Sequence, residues 1–256
     1  MPFAKLTVMS PPAATPSDLD PDVLATGRTD VTTIFVAMSG RDPDGRDADY
    51  LAWHALDHRP EMHRLALLRG AQRLVSTPAC RAARLVSDER YDAVDHVMTY
   101  LFAHRAALES MRTLAAALVA AARMPLRLPT VELGAYDLAG MAAARRVLVG
   151  ADVIPWRPAT GVYLLVERGA GPAADLTETP GVAGVWWFRS DGGPPRGAPG
   201  DVPLQITYCY LDDDPVAVAE RLRPAVEQRW TDGDVVPLLA APFHVPVDFD
   251  WGRHLP

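Results

Sequence analysis

Three of the seven histidines in this chain, His54, His58 and His63, fall between Tyr50 and Leu65. Histidine is the side chain whose ordinary pKa lies close to working pH, so such a cluster is the first place to look for proton transfer. Wound as an α-helix at about 100° per residue, the segment puts Leu51, Ala55, His58, Met62 and Leu65 on one stripe. His54 and Glu61 lie together at the edge of that stripe, and Trp53, Asp57 and Arg64 project from the opposite side. This projection aims His58 at the interior, where an imidazole in an apolar cleft serves as general acid or base. Glu61, three residues on, is placed to orient or polarise it. Pro60 removes one intrahelical donor and predicts a kink beside His58. The plain alternative is a part-buried histidine that only packs.

His54 and His58 also have the i, i+4 spacing with which one helix face offers two metal ligands. The residues between them are Ala55-Leu56-Asp57, so the segment lacks the general-base glutamate of the HExxH motif. No third ligand is readable. The sequence therefore assigns no metal, with the His54–His58 pair as the minor alternative. His63, His104, His244 and His254 belong to no readable constellation. Cys80 and Cys209 form no CxxC pair and read as buried or idle thiols, against a zinc ribbon, a disulfide or a nucleophile. Neither glycine cluster has the spacing that cradles a phosphate, so no nucleotide site is assigned. Trp186, Trp187, Tyr208 and Tyr210 alternate on apolar segments. They read as core that, facing a helix, can also line an apolar cavity.

The elements that must position these residues follow from periodicity and turn chemistry. Residues 1–30 are rich in Pro, Asp and Thr and read as an extended arm. Residues 32–38 (TTIFVAM) are β-branched and apolar, a buried strand. The turn residues 39–45 end it, and Asp47 is placed to cap a helix over 48–65. Strands follow at 69–76 and 96–102, then a helix rich in Ala, Leu, Met and Glu over 105–124. This β-α-β-β-α order is that of a ferredoxin-like unit. It recurs as a strand at 162–166, a short helix at 173–179, strands at 182–189 and 203–211, a helix at 214–229 with Pro215 in its first turn, and an edge segment at 235–247. An extra helix is predicted at 136–148, followed by a proline-rich linker at 153–158, and 190–201 reads as a long hairpin loop. The phrase Leu68-Arg69-Gly70-Ala71-Gln72-Arg73 is echoed by Val182-Ala183-Gly184-Val185-Trp186-Trp187 at the same point of the order. The expected fold class is α+β, two tandem ferredoxin-like β-α-β-β-α units forming an intrachain dimeric α+β barrel. Its parts are an N-terminal arm (1–30), a first unit with the histidine-bearing helix and the extra C-terminal helix (31–150), and a second unit (151–256).

The histidine helix and the strand after it resemble the EthD-like branch of the dimeric α+β barrel superfamily. The resemblance rests on Tyr50, Trp53, His58, Pro60 and the phrase Leu68 to Arg73: an aromatic pair, a histidine followed closely by proline, then a strand opening with a glycine-containing turn. It covers about a tenth of the chain, and the element order extends it less specifically to both halves. Two departures stand out. The spacing from Trp53 to His58 is one residue longer than the common form, and the second half has no counterpart to the histidine helix. Members of the family pair two chains, so a fused pair would close the barrel internally. The superfamily spans cofactor-free monooxygenases, cyclases, dehydratases, decarboxylases and haem enzymes, so the fold alone does not settle function. The resemblance implies a cleft between helices and sheet in which a histidine, here His58, moves protons on an aromatic or polyketide-like substrate.

The formal net charge is -7 and Lys and Arg form no dense block, which argues against nucleic acid or an anionic membrane as partner. No run approaches a membrane span, since the Ala-rich stretch 114–122 is short and flanked by Arg112 and Arg123. The N-terminus lacks the pattern of a signal peptide, so a cytoplasmic location is expected. The sequence thus reads as a cofactor-independent enzyme acting on a hydrophobic, carbonyl-bearing small molecule by dehydration, decarboxylation, cyclisation or oxygenation. His58, Glu61 and Tyr50 are assigned to catalysis, and Trp53, Met62 and Arg73 to substrate binding. The alternatives are a non-catalytic binding protein with the same cavity, a haem-dependent member with a histidine as axial ligand, and a structural role. Monomer and homodimer are equally compatible with the sequence.

Overall fold

The computed structural model describes residues 29–190, 203–232 and 235–256. The expected N-terminal arm lies outside these residues up to position 28, as does the expected hairpin loop from position 191 onward. Strand β1 (Thr33–Ser39) is followed by helix α1 (Asp47–Trp53), a π-helical turn (His54–His58) and helix α2 (Arg59–Met62). Strand β2 (Leu68–Val75), helix α3 (Pro78–Ala82), and strands β3 (Val86–Ser87) and β4 (His96–Phe102) lead to helix α4 (Ala107–Ala120) and strand β5 (Thr130–Ala143). The second half runs β6 (Gly161–Arg168), a 3-10 turn (Ala174–Glu178), β7 (Val182–Arg189), β8 (Leu204–Leu211), α5 (Pro215–Asp232) and β9 (Val236–His244).

The ladders are antiparallel, and the strand order is β2-β4-β1-β5-β7-β8-β6-β9-β3, with β2 also pairing β9. The runs β2-β4-β1-β5 and β7-β8-β6-β9 are one ferredoxin-like order written twice. Strand β5 joins β7, and β9 returns to β2 where His244 faces Val75. The protein is therefore α+β, with two tandem ferredoxin-like units closing a barrel inside one chain, and closure removes the open edges that a single unit would expose.

The segment expected as an extra helix is instead β5. Its Ala, Leu and Met residues favour a helix locally. However, each ferredoxin-like unit needs a fourth strand beside its first, and β5 pairs with β1 on one side and β7 on the other. A Cβ at Gly140 would fall within the Trp187 indole, so glycine lets the strand pass beside that ring. Pairing on two sides outweighs local propensity.

Side chains alternate between the barrel interior and its outer faces. Ile34, Val36 and Met38 of β1, Val97 and Leu101 of β4, and Trp186, Phe188, Tyr208 and Tyr210 of β7 and β8 pack as one interior core. Of the aromatic residues read as core that can line a cavity, Trp186, Tyr208 and Tyr210 pack in this interior and Trp187 packs on an outer face. On the first outer face, Met98, Tyr100 and Phe102 pack with Met62, Leu108 and Met111. On the second, Tyr163, Leu165, Trp187 and Cys209 pack with Val218, Leu222 and Val226 of α5. Among the described residues no helix is long and apolar enough to cross a membrane.

Candidate active site

The histidine segment is not one continuous α-helix. The Arg59 N–H bonds back to the His54 carbonyl, closing a π-helical turn over residues 54–58. Pro60, which has no N–H to give, sits just beyond it in the first turn of α2. The wider turn shifts the phase of every side chain after it, so the stripe projected for an unbroken α-helix fails at residue 54. His54 takes the buried position, at 3 % exposure, and His58 is half-buried at the side. The expectation that His58 is the inward histidine is corrected on this ground.

Strands β2 and β4 bring Arg73 and His96 to the outer face beneath α1. The Arg73 guanidinium lies 5.1 Å from the centre of the Tyr50 ring, and its Nη2 donates to the Tyr50 hydroxyl at 3.0 Å. The His54 ring is 5.8 Å from that of Tyr50 and 5.1 Å from that of His58, and His58 stacks on Trp53 at 5.3 Å. At the other side of Tyr50, Asp47 Oδ1 lies 2.8 Å from His96 Nε2 and also accepts the Asp42 N–H at 2.8 Å. Asp47 is therefore not the cap that the sequence suggested. The Asp42 carboxylate accepts the Asp44 and Arg46 N–H groups ahead of α1.

Burial holds the His54 imidazole well below its ordinary pKa, and the neighbouring Arg73 charge pushes the same way. Burial and Arg73 lower His58 too, with Glu61 opposing them. Burial also lowers His96, against the pull of the Asp47 hydrogen bond. For Asp47, burial acts against the charged form, but the His96 and Asp42 hydrogen bonds prevail and hold the carboxyl below its usual value. These directions describe an ionised Asp47 beside three neutral imidazoles at pH 7. In that state the His96 hydrogen belongs on Nε2, facing Asp47.

A cavity of about 350 Å³ opens beside this cluster. One wall is Leu51, His54, Arg59 and Arg73; the other is Pro155, Arg157, Pro246 and Trp251. Arg157 pairs with Asp212 at 3.3 Å, and Arg59 faces Asp248 at 3.9 Å. Arg73, 7 % exposed, has no carboxylate partner among the described residues, and its Nε has no hydrogen-bond partner.

Of the residues assigned from sequence, Tyr50, Trp53, His58 and Arg73 are brought together around His54. Glu61 is not: its carboxylate meets Arg64 at 2.5 Å and also Arg123, so it does not orient His58. Met62 packs in the core beside α4 and belongs to the scaffold. Sequence reasoning missed His96 and the role of Asp47 as its partner. The signal was present for His96, which falls in phase with Met98 and Tyr100 as the polar member of an otherwise apolar face. No group of three or more potential metal ligands exists among the described residues, so the His54–His58 pair gains no third ligand. A haem calls for an apolar slot around an axial histidine. The small cavity lined by three arginines beside His54 does not fit that group.

No family model and no curated protein matches the chain. Two solved structures with similar backbones are an anthrone oxidase-like protein and a chlorite dismutase from Candidatus Nitrospira defluvii. The first is 14 % identical with a TM-score of 0.48, covering 87 % of this chain and 94 % of its own. The second is 11 % identical with a TM-score of 0.48, covering 91 % and 98 %.

Proposed function

We propose that this protein is an enzyme that moves a proton on a hydrophobic, carbonyl-bearing molecule held between α1 and β2, with His54 as general base. The observation that carries this reading is a neutral, deeply buried imidazole lining a cavity of about 350 Å³, within the size range of small-molecule sites. His54 accepts a proton from a carbon that the carbonyl acidifies, next to it in 1-indanone and conjugated with it across the ring in anthrone. The electron pair passes to the carbonyl oxygen, and the positive field of the arginine-lined cavity stabilises the resulting enolate. Tyr50 holds Arg73 in place, and Trp53 and His58 back the His54 ring. The enolate is the start of dehydration, cyclisation and reaction with dioxygen, and it is what the loss of CO2 from a β-keto acid leaves, so the substrate sets the end. The EthD-like phrase over residues 50–73 supports an aromatic or polyketide-like substrate, and the proton step requires no cofactor.

The test uses anthrone and 1-indanone as carbon acids, with deuterium exchange from heavy water followed by NMR. The full chain is expected to accelerate exchange, and His54→Ala to slow it by ~10²–10⁴, the usual contribution of a positioned base. His58→Ala should cost far less. No acceleration of either probe, or full activity in His54→Ala, overturns the assignment. A second reading, non-catalytic binding in the same cavity, is favoured by the weak basicity that burial imposes on His54. Saturable probe binding without exchange would establish it.

A further inference from the structure

We infer that the cavity beside His54 is a carboxylate site, whose ligand has an apolar body and a carboxylate seated on Arg73. This deepens the proton-transfer reading, and rests on it only for the chemistry after binding. Buried arginines are almost always paired with a carboxylate or another anion, because an uncompensated buried charge is costly. Arg73 breaks that pattern. Its described partners are the hydroxyl and ring of one residue, Tyr50. Its Nε–H points to no acceptor. On α1, the Asp47 carboxylate is hydrogen-bonded to His96 and the Asp42 N–H, not to Arg73.

The pairing around the cavity selects the ligand. Arg59 faces Asp248, and Arg157 shares the Asp212 carboxylate with Arg146. Arg73 alone of the three lining arginines has no carboxylate of the described residues beside it, which calls for an acid on the ligand. A guanidinium presents parallel N–H donors that suit the planar geometry of a carboxylate. Leu51, Ala55, Ala71, Pro155 and Trp251 supply apolar wall for the rest of the molecule. Binding also feeds the chemistry. Arg73 is one of the groups that keep His54 neutral, so an anion that compensates Arg73 makes the imidazole a better base once substrate is present.

The test is binding, read without turnover. Benzoate is titrated into the full chain carrying ¹⁵N-labelled histidine, with benzamide as its neutral counterpart and inorganic phosphate as a compact anion. Benzoate is expected to bind saturably, shift the His54 resonance and raise its titration midpoint, and benzamide and phosphate to bind at least tenfold more weakly. Arg73→Gln should weaken benzoate at least tenfold, in line with a charge-assisted hydrogen bond. Equal binding of benzamide, tighter binding of phosphate, no saturable benzoate binding, or unchanged affinity in Arg73→Gln overturns the proposal. The wild-type comparison of benzoate with benzamide stands even if the variant fails to fold. Exchange of anthrone that persists in a chain unable to bind benzoate removes the carboxylate site and leaves His54 as base. Benzoate binding without exchange does the reverse.

Discussion

The two outer faces of the barrel start from one plan and end differently. In β2 and β7 the ladder register shifts just before Gly70 and Gly184. Counting on from these glycines puts Arg73 where the second half has Trp187. In the same frame His96 and Gln205 are equivalent, opposite Val75 and Arg189. The first face covers its upper end with the π-turn and an open cavity; the second has only a 3-10 turn there and fills its space with Trp187, Val218, Leu222 and Val226. Gln205 is fully satisfied, its amide holding the Gly171 N–H and carbonyl. His96 keeps Nδ1 without a partner. Each face also buries one arginine. Arg229 sits on Glu167 through three contacts of 2.9–3.1 Å, whereas Arg73 has no acid. Buried polar atoms without a partner are thus more numerous on the first face, at His58, Arg73, His96 and Tyr100, than on the second, which has the Tyr163 hydroxyl; the first copy keeps polar groups where a ligand can meet them.

Removing the arginine from each face tests this contrast most sharply. Arg229→Met leaves the Glu167 carboxylate, fully buried, with the Trp230 Nε1 at 2.9 Å as its one side-chain donor among the described residues. Breaking one side of a buried pair costs about 3–5 kcal/mol, which urea unfolding should show as a large fall in midpoint. Arg73→Met removes a buried charge that had no acid to lose. It is expected to be neutral, or stabilising by about 1–4 kcal/mol as for buried ionic groups replaced by apolar ones, while abolishing benzoate binding. A comparable loss of stability in both variants would show that Arg73 is compensated within the chain and would dissolve the distinction between the faces.

Most of this architecture is legible in the sequence. β-branched strands such as TTIFVAM and the glycine-bearing echo at 70 and 184 place seven of the nine strands within a few residues. The two-residue β3 is too short to show a period. β5 reads as a helix because its alanines speak for one, and only its partners on both sides make it a strand. The site is legible in composition but not in phase. Tyr50, Trp53, His58 and Arg73 stand out by type and spacing, yet the inward histidine is displaced by a π-turn that no helical projection contains. The ion pairs of Glu61 depend on where Arg123 arrives after α4, a tertiary fact that spacing along one helix does not carry.

The smallest expected effect concerns acid. Burial lowers the folded-state pKa of His54, His58 and His96 on the first face, and of His244 at the end of β9 in the second half. Below the ordinary histidine value of about 6.5, the unfolded chain binds protons that the folded chain refuses, so stability must fall as pH drops through that window. Exchanging His96 for the residue at its equivalent position isolates one such group. His96→Gln can still donate an amide N–H to Asp47, so little stability should be lost at pH 7. The titrating imidazole is gone, however, and urea midpoints measured from pH 7 down to pH 5 should decline less steeply than in the wild type. An unchanged slope would mean that His96 titrates alike in the folded and unfolded chain, and a steeper decline that the folded state holds its proton in an ion pair with Asp47. The imbalance in buried imidazoles between the two faces would then rest on His54 and His58.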